Sequence, residues 1–426
     1  MRRHISPLFF VPVGVLVIAL GLAGGVGRLD SEATGAGVAR PGTPVSRPFV
    51  PDQTTIEECG RLLSCLEQAL GNVAAANGPK VAWETLDRLI EAGTMDAVRC
   101  HLSAHRIGAG AMLWAEDDVA GAFSFYRSDC VDGYTHGAIS GLLNNIASSD
   151  GPAMAQRIAD ACLNTYRWPN EMQESNCAHG GGHAIMLQSG YDLPLSLATC
   201  HLAFPADSIA ESSALNCVNG AFMENFHPSY DVKGEWLDYG DPFAPCRTLV
   251  LDESDELSCW IHTTYALNRI YLVGKTYDVA GFARACDSLD PLPRNRCYLG
   301  LGREIAVKRD VSLVVTACGL GRSGGAELAC IFQAAYQMTA NLSGLIADPG
   351  IDTRSLCVRL TNTETAEACW RSFGHFMLYD TAPNISGTIE ERCLAYGVPA
   401  GLPLDFCLRS ASGEQYAQGI PMDELP

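Results

Sequence analysis

The chain has 426 residues, 47% of them apolar and 18% charged, which is enough to bury a large core and too apolar for a disordered polymer. Its 48 acidic residues against 29 basic ones leave a formal charge of -19. That balance argues against nucleic acid as a partner, since displacing counterions from phosphates takes a surplus of Lys and Arg.

Arg2, Arg3 and His4 precede an uncharged stretch from Ile5 to Gly27. At 1.5 Å per residue this stretch can cross a hydrocarbon layer of about 30 Å. The positive flank keeps the N-terminus in the cytoplasm and places the rest of the chain outside. Gly21-Leu22-Ala23 is only a fair cleavage site, and the apolar run is longer than a signal core. Residues 1–27 therefore read as an uncleaved anchor in the cell membrane; cleavage would make the protein secreted. Residues 28–55, rich in Gly, Pro, Ser and Thr, read as a flexible linker. Residues 56–412 follow as a single helical domain, with 413–426 as a tail.

All eighteen cysteines fall between Cys59 and Cys407, and their even number in an exported segment predicts disulfides. No CxxC pair is present, which speaks against a thiolate metal site. After Cys130 the cysteines form seven consecutive pairs: 162/177, 200/217, 246/259, 286/297, 318/330, 357/369 and 393/407. The first members recur after 32 to 46 residues, the period of two-helix repeats.

Asp118, Asp192, Asp278 and Asp310, each followed by Val or Leu, are expected to N-cap the first helix of a repeat. The second helix is expected to begin at the second Cys of the pair, often after Asn or Ser (Asn176, Asn216, Ser258). The predicted fold is all-α, with tandem disulfide-stapled two-helix repeats forming an α/α solenoid or a closed α/α toroid. On one continuous helix Cys59 and Cys65 would lie about 9 Å apart on different faces, so they are not expected to pair unless Gly60 breaks the helix. The partner of Cys130 is sought among Cys59, Cys65 and Cys100.

Three residues after its Cys, five of seven second helices carry a small residue (His262 and Gln333 are the others), and six residues after it a mostly polar one, as in Gly133 and His136 or Gly180 and His183. The small residues either permit close helix packing, with the polar ones facing water, or line a groove able to take a protein or glycan. Six of the ten histidines lie between His101 and His201. His101 and His105 share one helix face, as do His179 and His183, and His136 stands at the repeat position of His183. These five imidazoles are the predicted ligands of a divalent transition metal (Zn, Cu, Ni or Fe), with Glu224 as a further ligand or a catalytic general base. His201, His227 and His262 are read as structural. The chain has no HExxH or GxxxxGK[ST] motif, and its one GxSxG string, Gly321-Arg322-Ser323-Gly324-Gly325, lies between Cys318 and Cys330, where it reads as the turn of a hairpin rather than a nucleophile elbow.

The strings Cys100-His101-x-x-x-His105-x-x-Gly108, His136-Gly137, Cys177-x-His179-Gly180-x-Gly182-His183 and Gly220-Ala221-Phe222-Met223-Glu224-Asn225 resemble motifs of uncharacterised exported Cys-rich helical-repeat proteins of bacteria. The resemblance covers roughly residues 98–304. It implies a site at these residues and carries no established reaction. The expected function is an exported, membrane-anchored repeat protein with a His-rich metal site, a metalloenzyme if the metal works on a substrate. The alternative is a noncatalytic scaffold that binds protein or glycan on its concave face.

Overall fold

The computed structural model describes residues 37–38, 41–44, 49–95, 100–127, 130, 133–143, 145–163, 171–205, 211–229, 232–273, 277–321, 323–340, 351–379 and 388–411. After a short strand β1 (Gly37–Val38) come α1 (Ile56–Cys59), α2 (Leu63–Asn77), α3 (Pro79–Glu91), α4 (Cys100–Trp114), α5 (Val119–Phe123) and α6 (Gly133–Leu142). The centre holds α7 (Gly151–Cys162), α8 (Glu171–Ser189), α9 (Leu193–Ala203), α10 (Glu211–Phe226), β2 (Val232–Lys233), α11 (Ala244–Thr248) and α12 (Glu253–Leu267). A π-helical turn, Asn268–Leu272, leads on to α13 (Val279–Asp287), α14 (Pro291–Ala306), α15 (Val311–Cys318) and α16 (Gly324–Ala340). The last helices are α17 (Ile351–Arg359), α18 (Thr363–Tyr379), α19 (Ile389–Ala395) and α20 (Leu402–Ala411).

The even-numbered helices form one layer in which each packs on the next, from α2 to α20. The odd-numbered helices lie outside it, with α5 on α7, α7 on α9, α13 on α15 and α15 on α17. This is the expected all-α fold of two-helix repeats, stacked as a solenoid with α2 and α20 as its ends. From α7 onward, disulfides tie each outer helix to the inner helix that follows: 162–177, 200–217, 246–259, 286–297, 318–330, 357–369 and 393–407. Asp192, Asp278 and Asp310 cap α9, α13 and α15 by accepting first-turn N–H groups, and Asp150 does the same for α7. Asp118 starts α5 without a side-chain cap bond.

Two expectations are corrected. The inner helices from α8 to α20 begin five or six residues before the second Cys, because N-cap residues such as Asp252 and Asp290 lie upstream; Ser258 is thus a helical residue. Cys59 and Cys65 do pair, with Cα atoms 5.3 Å apart, because Gly60 at φ 57° ends α1 after one turn and no continuous helix joins the two cysteines. Cys130 takes Cys100 as its partner, so this bridge joins the inner helix α4 to the entry of the inner helix α6.

Among the described residues no helix is long and apolar enough to cross a membrane. The stretch from Ile5 to Gly27 and the tail 413–426 lie outside the described residues. Parts of segment 28–55 do touch the repeats. β1 pairs in parallel with β2, the Gly42 N–H donates to the Ser189 carbonyl (2.8 Å), and Asn72 Nδ2 donates to Asp52 Oδ1 (2.8 Å).

His375 on α18 lies between the rings of Phe332 and Tyr336, each 5.5 Å away, and burial pushes its imidazole down to about 4. An unfolded histidine titrates near 6.5, so between these values the unfolded chain binds the proton and the folded one does not. Stability therefore falls as pH drops from about 6.5 to 4, at up to about 1.4 kcal/mol per pH unit for this group. Urea melts across that range should show this component in the parent chain and its loss in His375→Gln.

Candidate metal centre

The backbones of α4, α6, α8 and α10 approach in two close pairs, and glycine permits each. A Cβ on Gly137 of α6 would lie 1.9 Å from the His105 carbonyl of α4, and one on Gly108 of α4 would lie 2.0 Å from the Tyr134 carbonyl of α6. The same reciprocal contact joins α8 and α10, where a Cβ on Gly182 meets the Cys217 carbonyl at 1.9 Å and one on Gly220 meets the His179 carbonyl at 2.0 Å. Of the two readings of the small residues three positions after the Cys, close packing holds, since a Cβ on Gly133 would lie 2.4 Å from the His101 carbonyl and one on Gly220 2.0 Å from the His179 carbonyl. The polar residues six positions after the Cys do not face water here, since His136 and His183 are 3% and 2% exposed. Close packing and a lined interior are therefore the same arrangement.

The five predicted histidines meet in one cluster. His101 and His105 on α4 put their rings 4.6 Å apart, and His179 and His183 on α8 put theirs 5.0 Å apart. His136 on α6 stands between the pairs, edge-on to His101 (5.5 Å) and His105 (5.3 Å) and stacked on His183 (4.1 Å). The ligand nitrogens fall into two triads, His101–His105–His136 and His136–His179–His183, each within 4.8 Å of one another.

Several rings are oriented by partners outside the cluster. His101 Nδ1 lies 2.9 Å from the Cys130 carbonyl, which the 100–130 disulfide brings there. The Asn216 carbonyl takes a hydrogen bond from His179. His183 Nδ1 lies 2.7 Å from Glu224 Oε2. With those N–H groups placed on their partners, Nε2 of His101 and of His183 is left a bare lone pair. The Nε2 atoms of His179 and His183 face each other at 3.3 Å, and those of His101 and His105 at 3.1 Å. Nitrogens bound to one zinc at 2.0–2.1 Å in tetrahedral array stand about 3.3–3.4 Å apart. Burial holds His105, His136 and His179 well below the ordinary imidazole range, and neighbouring histidines add to the effect, so these rings stay neutral, the form that binds metal.

Glu224 of α10 is fully buried and has no free oxygen. Tyr191 donates its hydroxyl to Oε1 (2.6 Å), and Ser229 donates its N–H to Oε1 (2.8 Å) and its hydroxyl to Oε2 (2.6 Å), beside the His183 contact. Burial alone would raise this carboxyl, but the hydrogen bonds from His183, Ser229 and Tyr191 hold it below its ordinary value. The sequence reading missed Tyr191, Ser229 and the two backbone carbonyls. Tyr191 precedes the Asp192 cap as Tyr277 precedes Asp278, a register that does not mark it as a partner of Glu224; Ser229 lies beyond the end of α10, and a carbonyl leaves no mark in sequence.

The remaining histidines lie apart from this set. His201 Nε2 is 2.9 Å from Asp255 Oδ2, while Asp252 is engaged in capping α12. His262 donates from Nδ1 to the Ser258 carbonyl at 2.7 Å, and burial lowers it to about 3. His227 packs on Tyr265 at 5.4 Å, and Arg303 covers the Tyr265 ring at 3.7 Å while donating to Glu304.

Gly137→Ala must push α6 away from α4 at the His105 carbonyl, and overpacking of this kind costs about 1–3 kcal/mol or more. Chemical denaturation should show that loss in metal-free protein, and Gly141→Ala, whose Cβ would meet nothing nearer than 3.8 Å, should show little.

The chain matches no protein-family model, no curated protein and no solved structure, so the site rests on its geometry alone.

Proposed function

We propose that this chain is an extracytoplasmic protein, held to the cell membrane by residues 5–27, that binds a divalent transition metal (Zn, Cu or Fe) on His101, His105, His136, His179 and His183. One observation carries the reading: His136 is buried at the centre of four other imidazoles, and neither of its ring nitrogens has a hydrogen-bond partner. An orphaned polar group in a protein interior costs about 1–3 kcal/mol, and a bound cation removes that cost. The Nε2 atoms of His179 and His183 face each other at 3.3 Å, the separation of two nitrogens bound to one cation. Nine disulfides and no free thiol among the described residues suit an oxidising compartment.

In this reading Glu224 is a positioning residue. Its oxygens are engaged by His183, Tyr191 and Ser229, so it fixes the tautomer and direction of His183, as a carboxylate behind a metal-bound histidine does. Three imidazoles on one ion leave a fourth position open for water or substrate, the arrangement on which hydrolytic and redox metal sites are built.

Elemental analysis of the full chain, purified without a His tag from a metal-replete oxidising compartment, tests this. Bound transition metal is expected, and it should be lost in His136→Ala/His183→Ala while the helical circular dichroism and disulfides persist. A parent chain without metal overturns the reading and leaves a noncatalytic scaffold for protein or glycan. Glu224→Gln should bind the metal about 10–100-fold more weakly in chelator competition. An unchanged affinity there would mean that Glu224 does not act on His183 as described.

A further inference from the structure

We propose that the cluster holds two metal ions rather than one, with His136 as a bridge that gives one ring nitrogen to each. The inference rests on the metal-binding reading above and adds the number of ions and the group between them.

Three observations carry it. The five histidines do not form a single set of mutually close nitrogens; they form two triads that share His136 alone. Both His136 nitrogens are buried and without a partner, so neither is reserved for a carbonyl or carboxylate. Elsewhere in the cluster the pattern is the opposite. His101, His179 and His183 each commit one ring nitrogen to a protein acceptor, which leaves one nitrogen per ring for a metal. A histidine that serves one ion needs such an acceptor behind it to fix its tautomer. His136 has none, and its ring neighbours both the two α4 histidines and the two α8 histidines.

The proton balance follows. Neutral His136 carries one N–H, so binding the first ion uses its lone-pair nitrogen, and binding the second releases the remaining N–H proton to solvent. The bridging ring then carries a negative charge between two cations, which lowers their mutual repulsion in a buried site. Each ion has three imidazole nitrogens, with His101 and His105 on one side and His179 and His183 on the other.

Copper(II) is the probe, because its single unpaired spin reports a bridge. The full chain loaded with Cu(II) should bind two equivalents. Its integrated electron paramagnetic resonance signal should fall well short of two spins at low temperature, since spins joined through one imidazolate pair with each other. Breaking one triad by His101→Ala/His105→Ala should leave one equivalent with its full one-spin signal, and His179→Ala/His183→Ala should do the same. One equivalent in the parent chain overturns the two-ion proposal and keeps the metal-binding reading. Two equivalents with the full two-spin signal overturn the bridge. No copper at all overturns both readings, and none of these parent-chain measurements depends on a variant folding.

Discussion

Neighbouring inner helices can come only as close as their facing side chains allow, and at α4–α6 and α8–α10 those side chains have been reduced to hydrogen. Gly108 and Gly137 close one pair of helices, and Gly182 and Gly220 the other, each laid on a carbonyl of the facing helix. Two of those carbonyls belong to His105 and His179. The histidines therefore arrive at the centre by backbone contact, where a shift of one methyl group is not absorbed. Rings 4 to 6 Å apart on three different helices are a consequence of that approach.

The electrostatic character of the cluster follows from the same burial. Five imidazoles so near one another cannot all be protonated, and the interior keeps His105, His136 and His179 neutral at ordinary pH. Glu224 supplies a buried carboxylate against them, and it is anchored by Tyr191 and Ser229 rather than left to rotate. A protein interior seldom gathers lone pairs in this way for stability, since an apolar core of the same volume would be cheaper.

Much of this was legible in the chain. The cysteine pairs gave the repeat, the Asp caps gave the outer helices, and the HxxxH spacings with the repeat-equivalent His136 gave the cluster, because these are periodic and local signals. What failed was where backbone geometry outweighed side-chain pattern. Gly60 turned α1 out of helix and let Cys59 reach Cys65, and upstream caps lengthened the inner helices beyond their cysteines. The partners behind the histidines were hidden for another reason: a carbonyl such as that of Cys130 acquires its role only once a disulfide has brought it to His101.

The bridges have a consequence for how the molecule is made. Each Cys pairs with the next Cys in sequence, across separations of 6 to 17 residues in eight cases and 30 in the ninth. A chain oxidised from its N-terminus onward meets the correct partner before any other thiol is in reach, so eighteen cysteines can be sorted by order of arrival alone. Loops this short close on the timescale of local helix formation, far ahead of disulfide chemistry. Folding can then proceed hairpin by hairpin with little need for an isomerase, and growth of the array by duplication adds a unit that brings its own bridge.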